Sequence, residues 1–273
     1  MKNILLPTDF SENAKVAADF TVNLFCGLPM SLNLYHFYGL HHSTGSMLIS
    51  IDDLLQKDAQ DSMKIEVDRI VEFCGGEVDI RSKNLNGKLT DFISEIVKNN
   101  KIDMIAMGTQ GSSGFKKDLF GSNTTQILNT VKAPVLVIPT NSHFERGSKP
   151  KIAFATDFKP FGGSEQMKAF MQLMKQKYGT FDREVVYISD TADAIEDHGR
   201  ALCQDLMGED LDSFIELIGK DIQQGLMTYL DEHKPDVLIM VHRKNSFFDR
   251  LLKTSLSAKM ALKSGTPLMI FKD

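Results

Sequence analysis

The sequence has few cysteines, no basic excess and no long apolar run, and each shortage removes a class of protein. No stretch is apolar enough over enough residues to cross a bilayer as a helix, so no membrane role is expected. The run Met1–Pro7 lacks the longer apolar region and small-residue cleavage site of a signal peptide. It reads as a strand, and the protein is expected to be cytoplasmic. The formal net charge is -5, against the basic patch or stripe typical of a dedicated nucleic-acid binder. Cys26, Cys74 and Cys203 are too few and too widely spaced for a disulfide framework or a zinc cluster. Three reduced, mostly buried thiols in a reducing compartment fit them best.

What is present is a repeat. KNILLPTDF at 2–10 returns as KIAFATDF at 151–158. KIDMIAM at 101–107 returns as KPDVLIM at 234–240, and KAPVLVIP at 132–139 as SGTPLMIF at 264–271. Three matches in one order mark a duplicated domain. The stretch 140–150 is polar, carries Gly147 and Pro150, lacks an apolar period and reads as a linker. The expected domains are therefore 1–140 and 151–273.

Each half alternates strand and helix. In the first, strands are expected over 3–7, 31–38, 77–84, 102–107 and 134–138, and helices over 11–26, 51–73, 88–99 and 122–131. Ser11 is placed to cap the first helix. On the long helix Leu54, Leu55, Ala59, Met63, Val67, Ile70 and Val71 form the apolar pattern. Alternating strands and helices predict two tandem doubly wound α/β domains. Each would be an open, mainly parallel five-stranded sheet flanked by helices. In such sheets ligands bind beyond the carboxyl ends of the strands, where the strand order reverses.

The residues after the fourth strand fit that position. Gly108, Gly111, Gly121 and Ser122 form G-x2-G-x9-G-S between a buried strand and a helix. Glycines let backbone approach phosphate oxygens, and the N–H groups at a helix start favour an anion. A phosphate cradle without a lysine is thus permitted. It is not a Walker loop, because no Gly-Lys-Ser/Thr follows, and not the dinucleotide fingerprint, which belongs after the first strand. A glycine-rich turn that merely joins strand to helix stays open as the alternative.

PTDFS at 7–11, YHF at 35–37, GTQGSSGFKKDLFGS at 108–122 and APVLVIP at 133–139 resemble the universal stress protein family in order and spacing. The second half resembles it in weakened form. The resemblance implies a tandem protein of the adenine nucleotide alpha hydrolase-like fold, with a role in stress response. It implies ATP, ADP or AMP as ligand, with Mg2+ as companion. Gly108, Gly111, Gly121 and Ser122 would serve phosphate and ribose. Asp9 and Phe37 would serve the base side, Phe37 through backbone, while Pro7 and Thr8 shape the turn. Asn123 follows Ser122 where an apolar residue is common. Gln110 stands where relatives often have histidine. Asp9 could equally cap the first helix. The last strand, 134–138, implies an internal pseudo-dimer, permits a homodimer, and leaves any protein partner unnamed.

The second half departs from the pattern. Aligned on Asp103 and Asp236, Gly108 becomes Val241, Gly111 Lys244, Gly121 Thr254, and Ser122 Ser255. Side chains there obstruct backbone approach to phosphate, so one nucleotide site is expected, in the first domain. His242, Arg243 and Lys244 read as a solvated loop or as positive charge for another anion. His36, His41 and His42 read as a polar mouth rather than a metal site. No catalytic triad or activated nucleophile can be assembled, so at most slow ATP hydrolysis is expected. A scaffold of the same fold without nucleotide is the alternative function.

Overall fold

A computed structural model describes residues 1–39, 48–76, 78–109, 122–189, 197–209, 211, 213–218, 222–243 and 265–273. Seven helices and ten strands lie among them. The chain divides into two compact units, Met1–Ala133 and Pro134–Asp273.

The first unit carries β1 (Asn3–Thr8), α1 (Glu12–Phe25), β2 (Ser31–Tyr38), α2 (Leu48–Cys74), β3 (Asp79–Asn86), α3 (Leu89–Asn99), β4 (Met104–Gly108) and α4 (Ser122–Thr130). Its strands run β3-β2-β1-β4. β1 is parallel to β2, with Thr8 opposite His36, and parallel to β4, with Ile4 opposite Met104. Ile4, Leu5, Met104, Ile105 and Ala106 are almost wholly buried. Helices covering both faces of a parallel sheet produce such continuous apolar runs. The chain builds outward from β1 to β3, then returns to β1's other side with β4. The strand order therefore reverses between β1 and β4.

α2 buries a narrower stripe than its sequence suggests. Ala59, Met63 and Ile70 are buried, whereas Leu54 is 58% exposed and Val71 37%. Only the side facing the sheet and α1 is covered. Arg69 anchors that side through Asp19 of α1 at 2.6 Å and Glu66 at 2.9 Å.

The second unit begins with β5 (Val135–Ile138) and continues with β6 (Lys151–Thr156), α5 (Ser164–Tyr178), β7 (Asp182–Ser189), α6 (Asp197–Met207), β8 (Phe214–Ile218), α7 (Ile222–His233), β9 (Val237–His242) and β10 (Leu268–Lys272). Its strands run β5-β10-β9-β6-β7-β8. β5 is antiparallel to β10, and the other pairings are parallel. Here the order reverses between β6 and β9. The stretch 140–150 is not a free linker. Phe144 is 2% exposed and meets Tyr178 edge-on. Lys149 Nζ donates to Thr180. Polar spacing masked one aromatic anchor. No described helix is long and apolar enough to cross a membrane.

Candidate functional site

The turn leaving β1 is built by its own side chains. Thr8 Oγ1 accepts from the Phe10 N–H at 3.0 Å. Asp9 Oδ1 accepts from the Ser11 N–H at 3.1 Å and from Ser11 Oγ at 2.6 Å. Ser11 caps α1, its Oγ accepting from the Ala14 N–H at 3.3 Å. The cap is thus Ser11, as expected, while Asp9 braces the cap rather than forming it. Phe10 adopts φ 60°, an uncommon conformation for a residue with a side chain. Its ring rests on His36 with centroids 4.4 Å apart. His36 Nδ1 lies 2.8 Å from the Thr8 carbonyl. These contacts fix a strained turn at the carboxyl end of β1.

Beside it, β4 ends at Gly108. A Cβ on Gly108 would fall 2.5 Å from Asn13 Nδ2 and 2.7 Å from Asn13 Cγ. Asn13 lies in the first turn of α1 and is 6% exposed, so it has little room to yield. Thr109 is buried, and Thr124 Oγ1 of α4 donates to the Gly108 carbonyl at 3.3 Å. Any larger residue at 108 would force the Asn13 side chain to move, so packing against α1 favours glycine there whatever binds nearby. Asn13 was not singled out from the sequence. Nothing local in the sequence marks it, since its neighbour Gly108 lies far along the chain.

The other expected site residues are distributed as follows. Pro7 pairs opposite Tyr35 in the sheet. Phe37 is half-buried, its ring 6.3 Å from Phe92 of α3, on the strand face opposite His36. Its expected role is through backbone, so this packing leaves that role untouched. Ser122 opens α4, and Asn123 beside it is exposed. Gly111, Gly121 and Gln110 lie outside the described residues, as do His41 and His42. Thr8, Asp9 and Gly108 are thus the expected residues described at the reversal between β1 and β4, with Thr109 following Gly108 there.

The second unit repeats the turn and fills the crevice. Thr156 Oγ1 accepts from the Phe158 N–H at 2.9 Å, and Phe158 has φ 57°. Its ring stacks on Tyr187, the counterpart of His36, at 4.3 Å. Here α6 closes over the ring: a Cβ on Gly199 would lie 2.7 Å from it. Asp157, the counterpart of Asp9, is paired with Arg243 at the exit of β9. Arg243 is only 19% exposed. The reading of Arg243 as part of a solvated loop is corrected: the fold returns β9 beside β6, and two carboxylates draw the side chain inward. Lys244, Thr254 and Ser255 lie outside the described residues.

The first half of the chain matches a known family. The family model of the universal stress protein family covers residues 1–139.

The chain belongs to the universal stress protein family.

A universal stress protein of Methanocaldococcus jannaschii is 30% identical over 143 residues, spanning 50% of this chain and 81% of that one. A crystal structure of a universal stress protein from Archaeoglobus fulgidus superposes with TM-score 0.71 at 19% identity. That likeness covers 99% of this chain and 98% of the other, and at such identity it concerns the fold. The whole chain, and not one half, therefore has a counterpart of the same architecture within the family.

Among the described residues no group of three His, Cys, Asp or Glu side chains could hold a metal ion.

Proposed function

We propose that this universal stress protein binds an adenine nucleotide, ATP or its products, in the first unit only, and that occupancy sets its association with a partner. The carrying observation is the crevice where the order reverses between β1 and β4. Thr8 and Asp9 stand on one lip, Gly108 and Thr109 on the other, and α4 begins at Ser122. Ligands of open parallel sheets bind at such reversals, and nucleotide-binding relatives use these motif positions. In the proposal Gly108, Gly111, Gly121 and Ser122 face phosphate and ribose. Asp9 and the Phe37 backbone face the nucleoside, Pro7 and Thr8 shape the lip, and Asn123 lies at the mouth. Mg2+ would accompany the phosphates. The part of the chain is regulatory, with at most slow hydrolysis.

The same proposal includes pairing of the two sequence repeats as an internal pseudo-dimer, and homodimers of whole chains. The antiparallel ladder between β5 and β10, the last strand of each repeat, supports the first of these.

Equilibrium titration with labelled ATP tests the site. Wild-type protein is expected to bind, and Gly111→Lys to lose binding. Absence of binding at millimolar nucleotide, with the variant behaving like wild type, would overturn it.

A scaffold without nucleotide is favoured by one observation. Asn13 packing already favours a glycine at 108, so that glycine alone does not report a ligand. Adenine nucleotide carried through gel filtration by purified protein decides for the first reading.

A further inference from the structure

We infer that Arg243 is a built-in occupant of the second unit's crevice, doing there with a protein cation what a bound ligand would otherwise do. A guanidinium has five N–H donors in a rigid fork. All three nitrogens are engaged inside the chain. Nε donates to Asp273 Oδ2 at 3.0 Å. Nη1 donates to Asp157 Oδ1 at 3.3 Å and Oδ2 at 3.2 Å. Nη2 donates to the carbonyls of Lys159 at 3.2 Å and Pro160 at 2.8 Å. An arginine so engaged must give up bonds it already makes before it can turn to an incoming anion. The alternative in which it presents charge to another anion is therefore disfavoured by geometry.

The contacts join three places that sequence keeps apart: the turn after β6, the exit of β9 and the exit of β10. Asp273 extends the tie, its Oδ1 accepting from the Gly162 N–H at 3.1 Å, just ahead of α5. Lys159 Nζ adds a weaker, exposed pairing with Asp157 Oδ2 at 3.5 Å. The clasp thus spans the β6–β9 reversal, the second unit's counterpart of the first unit's crevice.

Two consequences follow. The second unit needs no ligand to hold this end together, because charge-assisted bonds from one guanidinium to two carboxylates already do so. Arg243 also sets specificity. A phosphate entering here would meet Asp157 and Asp273, and drawing Arg243 onto the phosphate would strip both carboxylates of their strongest partner. The clasp itself is independent of the proposed nucleotide site. Only the specificity clause rests on that reading.

Chemical rescue without nucleotide tests it in the full chain. Arg243→Ala removes the side chain and leaves a space for ethylguanidinium, the fragment deleted. The apparent melting temperature is expected to fall by about 5 °C or more. Millimolar ethylguanidinium is expected to restore part of that loss. It should do nothing for wild type and little for Arg243→Ala combined with Asp157→Asn. Unchanged melting of Arg243→Ala, or equal response of all three proteins, overturns the clasp. If Arg243→Ala does not fold, Arg243→Lys and Asp157→Asn decide in a double-mutant cycle. Non-additive losses support the pairing and additive losses refute it. Added ATP then separates the two readings. Clasp rescue with no nucleotide binding anywhere leaves the clasp standing and removes the nucleotide site, whereas clasp rescue with a second ATP bound by Arg243→Ala confirms the specificity role.

Discussion

At the residue scale, Gly108 answers first to packing. Its missing Cβ leaves room for Asn13, which is buried in the first turn of α1. Gly108→Ala is expected to cost about 1–3 kcal/mol, the range for overfilling a packed site. Asn13→Ala should relieve most of that cost in the double variant, as read by denaturant melts. If relief is absent, the glycine answers to something other than Asn13. Cys203 makes a second residue-scale case. Burial pushes its thiol up to about 12. Since the thiolate is the nucleophile, native Cys203 should resist alkylation at neutral pH and react only after unfolding. Prompt labelling of Cys203 in peptide mass spectra of native protein would contradict this burial.

At the scale of elements, two short polar clusters decide how strands and helices meet. Ser11 caps α1 and is held by Asp9, so one hydroxyl serves both helix and lip. Ser11→Ala should cost about 1–2 kcal/mol of stability. Under the proposed function it should also weaken nucleotide binding, because Asp9 loses its brace. In the second unit Glu184 of β7 gathers Tyr229 and His233 from α7 and Lys151 from β6. Burial by itself would push the Glu184 carboxyl up. The bonds from Tyr229, Lys151 and His233 and the Lys151 charge outweigh it and hold the carboxyl low. A carboxyl lowered on folding contributes stability that is fully present above its ordinary value, about 4.3. That contribution is lost as pH falls through the lower folded value. Glu184→Gln should therefore lower stability at neutral pH and flatten the acid limb of a stability-against-pH curve. Asp236, raised mainly by its burial, works in the opposite sense and is common to both proteins. The comparison thus isolates the glutamate. Tyr229→Phe, removing a bond of 2.6 Å to a carboxylate, should cost about 1.5–3 kcal/mol.

At the scale of the molecule, duplication has kept architecture and let one crevice change. Both units reuse the Thr-Asp-Phe turn, with Phe10 and Phe158 at φ 60° and 57°. Both also bend the chain before the strand that follows the third helix, with Lys101 at φ 49° and Lys234 at φ 46°. Asp103 and Asp236 then accept backbone N–H groups of Asn3 and Lys151 at 3.0 and 2.8 Å. These shared devices maintain the fold. The crevices differ because one carries Gly108 where the other carries Val241, and because Arg243 lies against Asp157. At saturation one nucleotide per chain is expected by isothermal titration. A stoichiometry of two would show that the second crevice opens in solution.

The strand and helix order, the duplication and the cap at Ser11 were legible in the residues, because they depend on local period and hydrogen bonding. The family was legible for the same reason, through motifs contiguous in the chain. The strand order was not, since parallel pairing joins segments far apart and carries no local mark. Nor was the role of Asn13, ninety-odd positions from Gly108 in sequence but within a Cβ's reach in space. Phe144 and Arg243 looked like members of polar loops. Only the tertiary structure buries the first against Tyr178 and turns the second onto Asp157 and Asp273. Sequence by itself thus determined the elements and the motif at the first crevice. Long-range packing, which local pattern cannot encode, decided that the second crevice holds its own arginine.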